Sequence, residues 1–177
     1  MKLKKIGVFT TALALTASMA VLAAPAGAAT VLTCAPPSGS VTFSPGLSSK
    51  AAIQTTTFNL PIKSCTGTKG VTGGTSNGKS KGTKPQSCKT FASAGATTTT
   101  VTIKWSNKKT SSAKLATTIV KGAPGTLTAT VSGKISSGLF AGKTLKTKVK
   151  VTINTGGCTT ATLKTAKLTG LSKVTIG

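Results

Sequence analysis

Lysine supplies every charged side chain of this sequence, so any chemistry that needs a charged group depends on it. The chain has 23 lysines among 177 residues and no arginine, aspartate, glutamate or histidine. General acid–base catalysis mostly uses histidine or a carboxylate, glycoside hydrolysis needs two carboxylates, and calcium and magnesium sites are built largely on carboxylates. The composition therefore argues against most enzymes, and we predict a non-enzymatic protein with no cofactor and no metal.

Three groups of lysines are candidates for binding a polyanion. One group lies at every second position of a predicted strand, where like charges on one face repel unless an external anion neutralises them. The candidates are Lys146, Lys148 and Lys150 on that strand, then Lys79, Lys81 and Lys84, and finally Lys108 and Lys109. We predict binding to anionic cell-envelope or extracellular polymers. The alternative is a structural or protein-interaction domain whose charge only confers solubility.

A phosphate-binding motif also occurs, in a context that does not support it. Gly73–Ser80 matches the pattern G-x-x-x-x-G-K-[ST], which needs a helix directly after it and usually an aspartate that holds Mg²⁺. The following residues, Lys81–Pro85, make a poor helix start, and the chain has no aspartate. Sequence-specific nucleic-acid binding is not expected either, because there is no arginine for paired contacts with guanine.

Serine–lysine hydrolysis is the enzyme scheme that this composition still permits, and it is a remote alternative. It requires a lysine whose pKa is lowered by burial, whereas the candidate lysines lie in polar stretches. A chain this rich in serine and lysine contains about two S-x-x-K matches by chance. The matches are Ser76/Lys79, Ser106/Lys109 and Ser111/Lys114.

The N-terminus predicts export. Residues 1–28 combine an early lysine cluster, a mostly apolar run over Ile6–Ala24 and small residues at Ala26–Ala28, as in a cleaved signal peptide. Residues 29–177 then form one secreted domain without integral membrane association, and cell-wall association is a further expectation.

The cysteines fit this compartment. An even number of cysteines in an exported chain predicts disulfides, although four cysteines allow three pairings. We favour Cys65–Cys88 and Cys34–Cys158. A zinc site would need closely spaced pairs, which are absent.

Alternation of polar and apolar residues predicts the fold. Thr98–Trp105 places Val101, Ile103 and Trp105 on one face, the pattern of a half-buried antiparallel strand. We predict an all-β antiparallel β-sandwich, or a barrel-like form, of about eight or nine strands. A glycine- and lysine-rich loop is predicted at 67–85. The other predicted strands are Ser40–Ser44, Thr55–Lys63, Ser87–Ser93, Ala113–Val120, Thr126–Val131, Lys148–Ile153, Ala161–Lys167 and Leu171–Ile176.

A pattern of cysteines, glycines and a central tryptophan runs through the mature chain. It comprises Cys34, Ser44–Leu47, Cys65–Thr68, Ser87, Cys88, Trp105, Gly133–Gly142, Cys158 and Leu168–Gly170. The pattern resembles that of small secreted actinobacterial proteins of uncharacterised function. This resemblance implies an exported, disulfide-bonded β domain, and it implies no particular activity.

Overall fold

The computed structural model describes residues 30–91, 95–123, 125–153 and 162–177. The predicted signal peptide lies outside these ranges. The described residues form short and long strands and one helical turn, α1 (Cys88–Phe91). The strands are β1 (Leu32–Cys34), β2 (Ser38–Leu47), β3 (Thr55–Ile62), β4 (Thr66–Gly67), β5 (Gly74–Lys81), β6 (Thr97–Trp105), β7 (Thr110–Lys121), β8 (Thr126–Gly138), β9 (Thr144–Thr152), β10 (Leu163–Gly170) and β11 (Val174–Ile176).

Eight of these strands form a closed antiparallel barrel. Their order is β2-β3-β5-β6-β7-β8-β9-β10, and β10 closes the ring by pairing with both β9 and β2. The short strands β11, β1 and β4 continue from the N-terminal part of β9, where Ile176 pairs with Leu145. The predicted all-β antiparallel fold is confirmed, in its barrel-like form.

β9 illustrates why these sequences form the wall of a barrel. Leu145, Val149 and Val151 are buried, whereas Lys146 and Lys148 between them are exposed. Successive side chains of a strand point to opposite faces, so the apolar set faces the interior and the lysines face solvent.

Two apolar clusters fill parts of the interior. The lower cluster occupies the end of the barrel that β1, β4 and β11 cover, and it is centred on Ile103, Trp105 and Ile135. The upper cluster lies at the other end, against β2, β8, β9 and β10, and it includes Phe43 and the α1 residue Phe91. These two rings meet edge to face, with centroids 5.1 Å apart.

The prediction of a loop at 67–85 is wrong for Gly74–Lys81, because these residues form β5, a full strand of the barrel. It pairs with β3 from Thr55↔Lys81 to Ile62↔Gly74 and with β6 on its other side. The inward positions of β5 are glycines and serines, so the strand has no apolar alternation. The ring of Phe58 lies over Gly78, where an added Cβ would come within 2.3 Å of that ring. The glycine therefore accommodates the aromatic ring of the neighbouring strand.

All other predicted strands overlap observed ones except Ser87–Ser93, which contains α1. Ser87 precedes the helix, and its N–H donates to the Thr90 hydroxyl at 2.8 Å, while the Thr90 N–H donates to the Ser87 hydroxyl at 3.4 Å. This reciprocal arrangement is typical of a capped helix start. In the described part of the chain, no helix has the length and hydrophobicity needed to cross a membrane.

The favoured disulfide pairing is also wrong. Cys34 pairs with Cys65, 31 residues away in sequence, which excludes both Cys65–Cys88 and Cys34–Cys158. The bond joins the end of β1 to the residue before β4, and these two strands pair through Thr33↔Thr66. Strands this short carry no periodic signal, so their adjacency was invisible in the sequence. Cys88 is disulfide-bonded as well, and Cys158 lies outside the described residues.

Candidate functional site

A dense arrangement of charge lies on the outer surface of three neighbouring strands. We call it the β7–β9 lysine face and define it as Lys114, Lys134, Lys146, Lys148 and Lys150. The first four side chains are exposed, and Lys150 is half-buried. The structure thus keeps the three predicted lysines of β9 on one face and adds two from β7 and β8.

Strand register decides how closely these lysines approach one another. Lys114 of β7 lies directly opposite Lys134 of β8. Lys134 pairs with Thr144 and Lys146 with Ser132, so Lys134 and Lys146 are diagonal neighbours. Directly opposite residues have Cβ atoms about 5 Å apart and diagonal ones about 7–8 Å. Like charges at such positions destabilise a sheet, so this surface favours an external anion.

Hydroxyl side chains lie between the lysines of this face. On β8, Thr128 pairs with Lys150 and Thr130 with Lys148. Each hydroxyl can donate one hydrogen bond, so a bound anion would meet ammonium groups and hydroxyl donors in alternation. On β9 the lysines recur about every 6.8 Å, which is two residues of strand rise.

The other predicted lysines lie elsewhere, so the structure does not unite all candidates in one surface. Lys79 and Lys81 point outward from β5, opposite Thr57 and Thr55 of β3, and Lys84 is exposed just beyond the strand. In the ring of eight strands, β5 and β9 are four steps apart in either direction. These two groups therefore lie on opposite sides of the barrel.

The third predicted group occupies the turn between β6 and β7. Lys108 and Lys109 are exposed, and Lys108 has a positive φ of 63°. The side-chain oxygen of Asn107 accepts a hydrogen bond from the Lys109 N–H at 3.2 Å. The conformation of Lys108 and Lys109 is therefore that of a tight turn. Their place in this turn separates them from the β7–β9 lysine face.

The serine–lysine matches are not assembled into pairs on the strands. Residues three apart in a strand point to opposite faces. Ser76 and Ser111 are buried on the inner side, whereas Lys79 and Lys114 are exposed on the outer side.

The third match and the phosphate-loop motif also have structural explanations. Ser106 Oγ accepts hydrogen bonds from the N–H and the hydroxyl of Thr72, at 3.0 and 3.2 Å. Most of Gly73–Ser80 is the extended strand β5, which lacks the curved backbone that surrounds a phosphate.

Lys114 and Lys134 are the members of the face that sequence reasoning missed. Each is a polar residue beside buried ones, Ala113 and Leu115 in the first case and Ile135 in the second. Alternation alone could have placed both on the outer surface. Their position opposite each other depends on the register of β7 and β8, which includes an irregularity between Ser112 and Ala113.

The described residues contain no group of three or more side chains of the types that usually bind metals. Comparison with protein-family models, with curated proteins and with solved structures finds no match to this chain. The interpretation of the site therefore rests on its own geometry and charge.

Proposed function

We propose that this protein is a secreted, non-enzymatic β-barrel protein that binds anionic polymers through the β7–β9 lysine face. The observation that carries the proposal is the direct opposition of Lys114 and Lys134 beside the lysine column of β9. The chain has a formal charge of +23 and no acidic side chain that could neutralise this surface.

The geometry favours a polymer over a single small anion. An exposed ammonium–anion contact is weak when it is alone, but a chain of repeated anionic groups can contact several lysines at once and release its condensed counterions. Lysine is a mobile point charge without the fixed donor geometry of arginine. Recognition would therefore follow charge spacing, and it would depend strongly on salt.

The predicted export of the chain suggests where such polymers occur. In the cell envelope and outside the cell, anionic polymers would be the available partners, and their binding would hold the barrel to a surface without an anchor. The competing interpretation is that the charge only keeps a structural or protein-interaction domain soluble.

The test is binding to long-chain inorganic polyphosphate at several salt concentrations. The face variant replaces all five lysines of the β7–β9 lysine face with glutamine. The control variant removes the same charge elsewhere by replacing five exposed lysines, Lys50, Lys63, Lys69, Lys89 and Lys164, with glutamine.

We expect the face variant to bind at least tenfold more weakly at about 50 mM salt. Its plot of log affinity against log salt should be shallower by about 0.7–0.9 for each lysine–phosphate ion pair that the substitutions remove. The control variant should stay within about threefold of the wild type. Equal losses of affinity in both variants would show that the attraction is a diffuse property of the net charge. No binding of the wild type would favour the solubility interpretation.

A further inference from the structure

The barrel interior contains a cavity that is separate from the β7–β9 lysine face. Its volume is about 200 Å³, and apolar side chains such as Val101, Leu115, Val131 and Val149 form most of its lining. Barrels of eight strands have interiors that are either filled by side chains or able to hold one small ligand. The lower and upper clusters fill part of this interior and leave the space between them.

β5 is the reason that the space remains. Its inward positions carry Ser76, Gly78 and Ser80, whereas most lining positions of the other barrel strands carry larger apolar or threonine side chains. Phe58 of β3 packs over Gly78 and contacts both apolar clusters. The small residues of β5 therefore leave volume along one side of the interior.

The cavity is accessible from the upper end, along β6 and β7. On β6 the inward residues change from exposed Thr97 through half-buried Thr99 to buried Val101. On β7 they change from half-buried Ile119 to buried Leu115. Solvent exposure thus decreases steadily toward the lower cluster, as expected for a pocket with one open end.

One polar group of the lining has an unmet hydrogen-bonding requirement. Gln54 is 2% exposed, and its Nε2 donates to the Gly46 carbonyl at 3.1 Å. Its Oε1 is buried and accepts no hydrogen bond from the protein. The orientation of the amide is decided by Gly46, because reversing it would place two oxygens against each other. The Gln54 carbonyl accepts from the Gly82 N–H at 2.8 Å, which fixes the backbone of this residue as well.

We propose that the cavity binds a neutral, mainly apolar molecule that carries one hydrogen-bond donor. Gln54 lines the cavity, but its Oε1 has almost no accessible surface, so the donor reaches Oε1 through a small shift of the neighbouring side chains. A charged ligand is disfavoured because no lysine is among the described lining residues, and an unpaired charge is costly to bury. An apolar cavity of about 150 Å³ can hold benzene. A cavity of about 200 Å³ therefore suits an aromatic ring with a short alkyl group and a hydroxyl. This proposal is independent of polyanion binding.

A pair of isomers tests the donor requirement on the unmodified protein. The first ligand, 4-ethylphenol, has a hydroxyl donor, and the second, 4-methylanisole, has the same atoms but no donor. Binding is measured by calorimetry and by the methyl shifts of Val101 and Leu115. We expect 4-ethylphenol to bind about 5- to 10-fold more tightly, which lies within the range that one added hydrogen bond contributes.

Two variants locate the binding. Gln54→Leu should reduce the preference for 4-ethylphenol to less than about twofold, because the acceptor is gone. Ala129→Phe should weaken both ligands at least tenfold, because Ala129 lines the cavity and the larger ring would fill it. Thr130→Phe is the matched control, because Thr130 is next to Ala129 and its own side chain points outward. This variant should bind both ligands as the wild type does.

Several outcomes would overturn the proposal. The first is failure of both isomers to bind at millimolar concentration. The second is equal affinity for the two isomers, which a water already bound to Oε1 would produce. The third is a preference for 4-ethylphenol that survives in Gln54→Leu. Equal effects of the two phenylalanine variants would also contradict it. If Gln54→Leu does not fold, the isomer pair on the wild type and the two phenylalanine variants still decide the matter.

Discussion

The lower and upper ends of the barrel are built from the same eight strands, yet their interiors are filled to different extents. On β6, Ile103 is 0% exposed and Trp105 is 4% exposed, whereas Thr99 is half-buried and Thr97 is exposed. One strand thus contributes both to a dense core and to a solvent-accessible pocket. On this strand, tight packing at the lower end and solvent access at the upper end are thus separated along the barrel axis.

The lower end is closed by several interactions that support one another. The rings of Trp105 and Phe140 meet edge to face, with centroids 5.5 Å apart. The indole N–H of Trp105 donates to Ser111 Oγ at 2.8 Å, and the Ser111 hydroxyl donates in turn to the Leu139 carbonyl. The Cys34–Cys65 disulfide covers this end together with β1, β4 and β11. We therefore expect substitutions here to affect stability far more than substitutions on the upper parts of β6 and β7, where the inward residues are exposed or half-buried.

The largest expected effect comes from the disulfide at the lower end. Replacing Cys34 and Cys65 together with serine should lower the free energy of unfolding by about 4 kcal/mol, because the bond closes a long loop of the unfolded chain. Substitution is preferred to chemical reduction, since Cys88 is disulfide-bonded too. The measurement is denaturant unfolding.

A double variant with Thr33 and Thr66 replaced by serine is the control, because this pair joins the same two strands. It should change stability by less than about 1 kcal/mol. Equal losses of stability in the two double variants would mean that the disulfide contributes nothing beyond local packing.

The next effect compares two inward residues of β6. Ile103→Ala should cost about 3 kcal/mol, because it leaves a cavity in the lower cluster. Thr99→Ala should cost less than about 1 kcal/mol, because this side chain already borders accessible space. Thermal and denaturant unfolding of both variants gives the comparison. Similar losses of stability at the two positions would contradict a difference in packing between the two ends.

The smallest expected effect concerns two hydroxyl residues of β7. Ser111→Ala should cost about 1–3 kcal/mol, because it leaves the buried indole N–H of Trp105 without its acceptor. Thr117→Ala, nearer the upper end and half-buried, should change stability by less than about 0.5 kcal/mol. In a Trp105→Phe background the cost of Ser111→Ala should fall, and a double-mutant cycle measures this coupling. An unchanged cost in that background would show that the hydrogen bond is not the cause.

Much of the barrel wall was predictable because its strands alternate. β6, β8 and β9 show apolar residues at every second position, and the structure places those residues inside. β5 was not predictable by this criterion, because Ser76, Gly78 and Ser80 face the interior without being apolar. Because these inward residues are small, the strand shows no apolar alternation, and the cavity beside it remains unfilled.

The candidate sites show a similar division. The outward position of Lys146, Lys148 and Lys150 followed from alternation alone. Their association with Lys114 and Lys134 required the register of three strands, and no local pattern encodes a register. The unpaired Oε1 of Gln54 was likewise unpredictable, because an orphaned acceptor exists only when the surrounding residues have been placed.

The charge of this protein and the class of its fold follow from the amino-acid sequence alone. Because the sequence has 23 lysines and no acidic side chain, none of its side chains can neutralise the lysines, and period-two alternation indicates strands with one buried face. The folded chain was needed to show that the strands close into a ring, that Cys34 pairs with Cys65, and that the interior retains a cavity. Closure, pairing and volume depend on which distant segments become neighbours, and such long-range contacts leave no periodic trace in the sequence.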